Sequence, residues 1–399
     1  MEDSNSQNKM NEIFGRRVEN VYPSREEATK RLKEEKRLKF YYGIDPTGPS
    51  LHIGHTVQLF LLKQLAELGH EVVLLIGDFT ARIGDPTDKE ATRKKLSEKE
   101  VRENMKNYVG QIKKILPGKY FKVRYNSKWL KKMSFENIVE LASHVTVQQI
   151  EARDMFQERI KNEKPIYLHE FLYPLMQGYD SVAMEVDGEV GGNDQVFNML
   201  VGRDLEKAYL GKDKIVLATR LLVDADSGKK LSKTEKSFIA LNDTPSDMYG
   251  KVMAGVPDEM IATVFELATE KDIYWIKERK NTVENGENPM NFKKELASEL
   301  VKIYHGEKEA QKAQAEFKKV FSQKELPDDM QEFKPEAGRN SLKEVLTSSN
   351  TVESGSEARR LLEQKGIKIN DVTADDLNYQ VKAGDIIKVG PRRFLKITN

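Results

Sequence analysis

The clearest pattern along the chain is an apolar run, a helical repeat and a second apolar run between residues 40 and 76. Residues 40–44 (FYYGI) are β-prone, while residues 72–76 (VVLLI) are continuously apolar, as in a strand covered on both faces. A strand, a helix and a strand at this spacing form a right-handed βαβ unit, which predicts an α/β protein with a doubly wound parallel sheet. The helical repeat consists of Val57, Phe60, Leu61, Leu65 and Leu68. Gly69, which follows directly, is expected to end the helix.

Beyond this unit the pattern predicts further strands and then a change to helices. Residues 121–125 predict a strand, and residues 182–186 alternate as a strand does, before a turn at Asp187-Gly188. Gly191 and Gly192 are expected to open the next helix and to let a ligand approach the backbone, with a simple bend at the C-terminal end of a strand as the alternative. The predicted division is a loosely held N-terminal arm with a helix (1–38), the sheet domain (39–244), a helical domain (245–323), a linker (324–338) and a small α+β unit (339–399).

Charge and cysteine content narrow the classes of function. The chain has 65 Lys and Arg against 64 Asp and Glu, a formal net charge of +1, so any contact with RNA must come from local basic patches. There are no cysteines, which excludes disulfides and thiolate metal sites. No apolar leader or long apolar run is visible, so a cytoplasmic location without membrane contact is expected.

Two histidines stand at the predicted start of the first sheet-domain helix. His52 and His55 are three residues apart, so they share a helix face and can donate to one anionic group, beside the free N–H groups of the helix start. Gly54 between them would let a base or phosphate approach closely. The alternative is that two histidines merely cap a helix.

A polar stripe crosses an otherwise apolar helical segment. Tyr173, Gln177 and Asp180 are spaced i, i+4, i+7, which places them on one face, where polar groups are expected to line a pocket. Asp85 follows the second predicted strand, where open α/β sheets bind ligands, and could pair with an ammonium group. A solvated loop is the alternative for Asp85.

A lysine-rich loop follows much later. In the segment GKKLSKT at 228–234, Lys230 and Lys233 bracket Ser232. Taken alone, such a loop is usually a solvated face.

Together, the His-Ile-Gly-His tetrad at 52–55 and the Lys-Leu-Ser-Lys-Thr loop at 230–234 resemble the two signatures of class I aminoacyl-tRNA synthetases. The loop departs from the family's Lys-Met-Ser-Lys-Ser but keeps both lysines and a hydroxyl at each serine position. The resemblance extends over nearly the whole chain to the bacterial type of the tyrosyl-tRNA synthetase family. It implies a Rossmann-like fold, activation of L-tyrosine by ATP, and transfer of tyrosine to the 3′ end of tRNA-Tyr.

The resemblance also implies roles for individual residues. The implied catalytic residues are His52, His55, Lys230, Lys233 and Thr47. The implied ATP contacts are Asp45, Gly54, Lys230, Ser232, Lys233, Thr234, Asp194, Lys89 and Arg93. The implied tyrosine contacts are Tyr41, Asp85, Asn126, Tyr173, Gln177, Asp180 and Gln195, with Tyr42 in place of Tyr41 if the strand is shifted by one residue.

The C-terminal unit resembles an S4 RNA-binding domain. The implied RNA contacts are Arg359, Arg360, Lys368, Arg392 and Arg393, and an ordinary solvated surface is the alternative. The family further implies a homodimer, and Mg²⁺ that enters with ATP and is not held by a protein cage.

Three other functions remain as alternatives. The tryptophan-specific relative shares the fold and both signatures, and the hydroxyl-binding stripe argues against it. A nucleotidyltransferase shares the histidine motif, and the lysine loop with the RNA-like C-terminal unit argues against that function. An RNA-binding protein that has lost catalysis is opposed by the intact histidines and lysines.

Overall fold

The computed structural model describes residues 10, 12–35, 37–87, 95–223, 231, 238–319, 330–335, 340–352, 354–370, 372–390 and 393–398. The chain forms two compact units, one from Met1–Asp243 with Lys251–Gly306 and the other from Thr244–Gly250 with Glu307–Asn399. The finer division predicted from the sequence stays a prediction.

The first unit is built on a six-stranded sheet with the strand order β1-β6-β5-β2-β3-β4. Only β1 is antiparallel to its neighbour, and the other pairs are parallel. The predicted doubly wound α/β fold is therefore confirmed. The strands are β1 (Val18–Tyr22), β2 (Lys39–Ile44), β3 (Glu71–Ile76), β4 (Phe121–Tyr125), β5 (Gly188–Gly192) and β6 (Ile215–Thr219).

Helices cover the sheet and continue after it. Those before β6 are α1 (Arg25–Glu34), α2 (Ile53–Glu67), α3 (Glu98–Met105), α4 (Tyr108–Ile112), α5 (Ser127–Leu130), α6 (Phe135–Ala142), α7 (Val147–Glu151), α8 (Asp154–Lys161), α9 (Leu168–Met184) and α10 (Val196–Leu210). Those after β6 are α11 (Pro245–Gly255), α12 (Ile261–Ala268), α13 (Ile273–Glu284), α14 (Pro289–His305) and α15 (Glu307–Lys318). No described helix combines the length and apolar character needed to cross a lipid bilayer.

The N-terminal segment is part of the packed sheet unit, so the expectation of a loosely held arm is wrong for the described residues from Ile13 to Tyr22. Ile13 and Phe14 are buried, and β1 pairs with β6 from Tyr22↔Val216 to Val18↔Thr219. In β1, VENVY, Glu19 and Asn20 are exposed and only Val18 is buried, as suits an edge strand with a single pairing neighbour.

Two buried arginines anchor the same segment. Arg16 donates to the carbonyl oxygen of Thr269 at 2.9 Å, and Arg17 donates to the same oxygen, just past the C-terminus of α12. The guanidinium of Arg17 also lies 4.8 Å from the centre of the Phe60 ring. Cations at a helix C-terminus satisfy carbonyl groups that have no partner within the helix.

The strand predicted at 182–186 is wrong, because α9 extends to Met184. The next residue, Glu185, is the C-cap of the helix and has a left-handed φ of 50°. The apparent alternation arises because Ala183 and Glu185 are the exposed residues of an otherwise buried helix end. The strand instead comprises Gly188–Gly192, so the predicted turn is displaced as well.

Gly191 and Gly192 end a strand rather than opening a helix. A Cβ at Gly191 would lie 2.7 Å from the sulfur of Met199, and one at Gly192 would lie 2.5 Å from Oδ1 of Asp194. These glycines make room for the protein's own side chains, which is the physical reason for them here.

The second unit contains a five-stranded sheet with the order β7-β11-β10-β8-β9. Its core includes Leu346 of α16, Ala358 of α17 and Leu395 of β11. Its elements are β7 (Gln331–Phe333), α16 (Leu342–Ser348), α17 (Gly355–Glu363), β8 (Ile367–Ile369), β9 (Val372–Thr373), β10 (Ile386–Val389) and β11 (Arg393–Ile397).

Candidate active site

A cavity of about 620 Å³ opens at the carboxyl ends of the parallel strands. In open α/β sheets, ligands bind at this edge, where loops from neighbouring strands meet. Among the residues with predicted roles, the cavity is lined by Tyr41, Asp45, Thr47, His52, Gly54, His55, Asp85, Asn126, Tyr173, Gln177, Asp180, Asp194 and Gln195. Residues predicted from distant parts of the sequence therefore come together.

A buried carboxyl group is part of the cavity lining. Asp180 accepts hydrogen bonds from Nε1 of Trp129 at 2.7 Å and from Nδ2 of Asn126 at 3.2 Å. Burial raises the pKa of Asp180 well above its ordinary value, and these two donors act in the opposite direction. A carboxylate can accept about four hydrogen bonds, so a further donor can be accommodated.

Tyr41, rather than Tyr42, reaches towards Asp180. The Tyr41 hydroxyl is fully buried and lies 3.1 Å from Oγ of Ser181. Its pKa is raised well above the ordinary value, first by burial and then by the nearby carboxylates of Glu189 and Asp180. Both tyrosines line the cavity, and the register of β2 favours Tyr41 as the one beside Asp180.

A second carboxyl group lies deeper than the sequence indicates. Asp45 accepts from the hydroxyl of Tyr173 at 2.9 Å and from Oγ1 of Thr80 at 2.6 Å. Burial raises its pKa to about 7, although both donors lower it. A Cβ at Gly77 would lie only 1.8 Å from Oδ1 of Asp45, so this carboxylate requires glycine at that position.

A chain of amide groups continues along the cavity wall. Gln195 donates to Oδ2 of Asp85 at 2.6 Å, and Nδ2 of Asn198 lies 3.0 Å from the side-chain oxygens of both Gln177 and Gln195. Burial raises the pKa of Asp85. Three predicted tyrosine contacts are therefore linked by Asn198, a residue that the sequence analysis did not single out.

The two histidines stand at the start of α2. His52 is the N-cap residue, and its Nδ1 accepts from the backbone N–H of Gly54 at 3.0 Å, while Nδ1 of His55 accepts from the backbone N–H of His52 at 3.2 Å. In a neutral ring that accepts at Nδ1, the proton is on Nε2, so each ring carries an Nε2–H donor. The predicted alternative, that the two histidines cap the helix, therefore describes their Nδ1 atoms.

Gly54 lines the cavity and also makes room for a side chain of the protein itself. A Cβ at this position would lie 2.8 Å from Cε1 and 2.9 Å from Nδ1 of His52. The space beside Gly54 is therefore taken by the histidine ring that caps the helix.

Six of the predicted ATP contacts lie outside the described residues: Lys89, Arg93, Lys230, Ser232, Lys233 and Thr234. Within the lysine loop, Leu231 is described. It is buried, lines the cavity, and donates its backbone N–H to the carbonyl oxygen of Leu222 at 2.9 Å.

Two models of known protein families match this chain. The family model for class I tRNA synthetases of the tryptophan and tyrosine group matches residues 33–322, and the S4 domain model matches residues 342–387. The chain belongs to this synthetase family.

Full-length relatives agree with this assignment. The synthetase is 44% identical over 398 residues to a tyrosine-tRNA ligase of Carboxydothermus hydrogenoformans, and 97% of each chain is covered. It is 43% identical over 368 residues to a tyrosine-tRNA ligase of Haemophilus influenzae, covering 92% of this chain and 91% of that one.

Solved structures support the fold. A C-terminally truncated mitochondrial tyrosyl-tRNA synthetase of Aspergillus nidulans superposes with a TM-score of 0.64 at 22% identity, over 78% of this chain and 94% of the other. A tyrosyl-tRNA synthetase of Archaeoglobus fulgidus complexed with L-tyrosine gives 0.60 at 20% identity, over 77% and 99%. The predicted family and fold class are confirmed.

The S4-like part of the synthetase carries most of the predicted RNA contacts on exposed positions. Arg359 and Arg360 are exposed on α17, and Lys368 is exposed on β8. Arg393 instead donates to the backbone oxygen of Thr351 at 2.5 Å and pairs with Glu357 at 3.0 Å, so part of its hydrogen-bonding capacity is already used. Arg392 lies outside the described residues.

Several residues at or behind the synthetase's cavity were not predicted. Thr80 and Glu189 line the cavity, and Ser181, Asn198 and Lys214 hydrogen-bond to the lining residues Tyr41, Gln177 and Glu189 respectively. Thr80 follows a predicted strand end, which is a usable signal. Lys214 precedes a strand as an ordinary lysine would, and no sequence pattern distinguishes it. Within the described ranges, no group of three or more His, Asp or Glu side chains is arranged to hold a metal ion.

Proposed function

We propose that the chain is a tyrosine-tRNA ligase that activates L-tyrosine with ATP and then transfers it to the 3′ end of tRNA-Tyr. The predicted activity is confirmed by curated tyrosine-tRNA ligases at 44% and 43% identity over most of the chain. One observation supports the residue-level proposal: the buried Asp180 lines the same cavity as His52 and His55.

The buried end of the cavity is suited to a phenol. Asp180 would accept the substrate hydroxyl, with the Tyr41 hydroxyl nearby as its second partner. A phenylalanine side chain would leave these buried polar groups without a partner, an effect of which tyrosyl-tRNA synthetases are themselves an established illustration. The pocket would therefore favour tyrosine over phenylalanine, because bound phenylalanine would leave the carboxyl group of Asp180 without its hydrogen-bond donor.

The substrate ammonium would lie between Tyr173, Gln177 and Asp85. Tyr173 donates its proton to Asp45, so its oxygen can accept from the ammonium. Asp85 supplies a carboxylate at the same wall, held by Gln195. Asn126 supports the opposite end through Asp180.

Adenylate formation needs positioning and charge neutralisation, with no protein nucleophile. The tyrosine carboxylate oxygen forms a bond to the α-phosphorus of ATP as the bond to the pyrophosphate oxygen breaks. The Nε2–H groups of His52 and His55 would donate to the phosphate oxygens on which charge develops. Further phosphate contacts are proposed for Lys230 and Lys233 of the lysine loop.

The remaining nucleotide contacts are proposed from the family resemblance. Thr47 would bond the γ-phosphate, and Asp194 would lie on the ribose side. Further contacts are proposed for Gly54, Lys89, Arg93, Ser232 and Thr234, and Asp45 would lie between tyrosine and nucleotide. Mg²⁺ is proposed to arrive with ATP and to neutralise phosphate charge.

In the second step the terminal ribose hydroxyl of tRNA attacks the carbonyl carbon of the adenylate, and AMP leaves. The S4-like unit would hold tRNA-Tyr through Arg359, Arg360, Lys368, Arg392 and Arg393. Such contacts to phosphate weaken as salt concentration rises.

A homodimer is proposed from the family and from exposed apolar side chains. Phe135 on α6 is 81% exposed and Leu168 at the start of α9 is 80% exposed, and these two helices contact each other. Large exposed apolar patches are typical of protein interfaces. Second copies of this chain would cover them. A cytoplasmic location stays a prediction.

ATP–pyrophosphate exchange with a panel of amino acids tests the proposal. Tyrosine should support exchange, while phenylalanine and tryptophan should support far less. Exchange with tryptophan would favour the tryptophan-specific alternative. Tight RNA binding without exchange would favour a protein that has lost catalysis, and nucleotidyl transfer to a substrate other than an amino acid would favour the third alternative.

A further inference from the structure

A lysine side chain is completely buried behind the proposed tyrosine pocket. Lys214, which directly precedes β6, is 0% exposed. Its ammonium forms an ion pair with Glu189 of β5 and donates to Oγ of Ser181 on α9 at 2.7 Å. A buried charge is costly unless its partners are closely placed, so this position must be specifically built.

Two glycines lie where α9 and α10 cross, and Gly202 makes room for the ammonium, while Gly178 allows the two helices to approach closely. A Cβ at Gly202 of α10 would lie 2.6 Å from Nζ of Lys214, 3.0 Å from Oγ of Ser181 and 3.2 Å from Cα of Gly178 on α9. A Cβ at Gly178 would lie 3.1 Å from the backbone nitrogen of Gly202. The two helices therefore pack closely at these glycines, and the absence of a side chain at Gly202 leaves space for the ammonium of Lys214.

Each partner of Lys214 contacts a residue of the proposed tyrosine pocket. Oε1 of Glu189 accepts from Nε2 of Gln177 at 3.2 Å, which orients the amide so that its oxygen faces Asn198. Oγ of Ser181 lies 3.1 Å from the hydroxyl of Tyr41. The ammonium therefore contacts both Glu189, which accepts from Gln177, and Ser181, which lies beside the Tyr41 hydroxyl.

We propose that Lys214 is a positioning residue for tyrosine recognition, which acts through Glu189 on the Gln177 amide and through Ser181 on the Tyr41 hydroxyl. The inference rests on the proposed function. Without the ammonium, Glu189 would be a buried carboxylate with its counter-cation removed, close to the carboxyl groups of Asp180 and Glu206. The amide and the hydroxyl would then lose their fixed orientation.

The test is the Lys214→Met variant in ATP–pyrophosphate exchange. Methionine keeps an unbranched apolar stem that is one atom shorter than lysine, and it removes the charge. We expect the KM for tyrosine to rise about tenfold or more and the preference for tyrosine over phenylalanine to narrow, with the KM for ATP within about twofold of wild type. Lys212→Met is the matched control, since Lys212 is exposed two residues earlier and should leave all three values unchanged.

A double variant separates positioning from simple loss of folding. Lys214→Met with Glu189→Gln removes both charges and keeps an amide oxygen that can accept from Gln177, so the tyrosine KM should return towards wild type. If Lys214→Met does not fold by circular dichroism, the comparison is made between Glu189→Gln and the double variant, where the single change leaves Lys214 unpaired and should have the higher tyrosine KM.

Two results would overturn the inference. One is a folded Lys214→Met enzyme with wild-type tyrosine KM and selectivity, and the other is an equal loss for tyrosine and ATP that the double variant does not restore. Wild-type protein without tyrosine-dependent exchange would instead contradict the proposed function, so the two failures are distinguishable.

Discussion

Trp129 and Asp180 are joined by a 2.7 Å hydrogen bond from the indole Nε1 to the carboxylate Oδ1. Asn126 donates to the other oxygen of the same carboxylate at 3.2 Å. The acceptor proposed for the substrate hydroxyl is therefore oriented by the protein alone, from two different positions just after β4. Such preorganisation reduces the ordering that substrate binding must otherwise supply.

The Asp180→Asn variant should lose selectivity for tyrosine. The amide cannot accept from Trp129 and Asn126 with both of its polar atoms, so one of these donors or the substrate hydroxyl loses its acceptor. We expect kcat/KM for tyrosine in ATP–pyrophosphate exchange to fall about 10- to 100-fold, and the ratio to phenylalanine to narrow. Asp204→Asn, at an exposed position of α10, is the control. Unchanged selectivity would show that Asp180 does not contact the phenol.

Gly54→Ala should slow adenylate formation, because the added Cβ would lie 2.8 Å from the His52 ring and displace it. We expect the exchange rate to fall about 10- to 100-fold at saturating tyrosine, since one phosphate donor is misplaced. Gly110→Ala is the matched control, because nothing lies within 4 Å of a Cβ there. Equal rates for the two variants would argue against a role for the orientation of His52.

Lys233→Ala should slow adenylate formation far more than it weakens tyrosine binding. The lysine is proposed to neutralise phosphate charge in the transition state, and removal of one such contact typically costs about 10²–10³ in rate. Pyrophosphate exchange gives the rate, and equilibrium binding of tyrosine gives the comparison. Exchange at the wild-type rate would show that the lysine loop has been assigned wrongly.

Glu206→Gln should stabilise the protein at alkaline pH. Glu206 is fully buried, both of its carboxyl oxygens have no hydrogen-bond partner among the described residues, and burial raises its pKa from 4.5 to about 7. The folded state therefore binds this proton more tightly than the unfolded chain, so stability falls as pH rises from about 4.5 through 7.

Glutamine cannot ionise, so the variant avoids the cost of a buried carboxylate at high pH. Its free energy of unfolding should exceed that of wild type by about 1 to 3 kcal/mol at pH 8 and by little at pH 5. Denaturant unfolding at both pH values measures the difference. Glu67→Gln at an exposed position of α2 is the control. A gain of equal size at both pH values would show that ionisation of Glu206 is not the cause.

The β2-α2-β3 unit could be predicted from the sequence because periodicity, a helix-ending glycine and turn residues all agree there. The strand expected at 182–186 was wrong because a buried helix end with two exposed residues has the same alternation as a strand. β1 was missed because the polar pair Glu19-Asn20 interrupts VENVY, so the segment neither alternates nor forms a continuous apolar run. A local sequence pattern predicts which positions of a segment are buried. It does not predict which other helix or strand buries them.

The same limit applies to the candidate site. Tyr173, Gln177 and Asp180 were predicted because one helix presents them at regular spacing. The buried Lys214–Glu189 pair gives no such signal, since its members precede or lie in short strands and meet only when α9 and α10 cross at two glycines. The glycines at 54, 191 and 192 were noticed, yet the sequence does not reveal that the atoms beside them belong to the protein itself.

The pairing of β1 with β6 joins Val18 to Thr219. A ribosome makes these residues in order, so the earliest strand must wait for the last one before it can be completed. Until then Ile13, Phe14 and Val18 have apolar surface that their final neighbours cannot yet cover, and such intermediates are prone to aggregate. Nascent chains that stop before residue 215 should therefore depend on chaperones more strongly than those that extend a short way beyond β6.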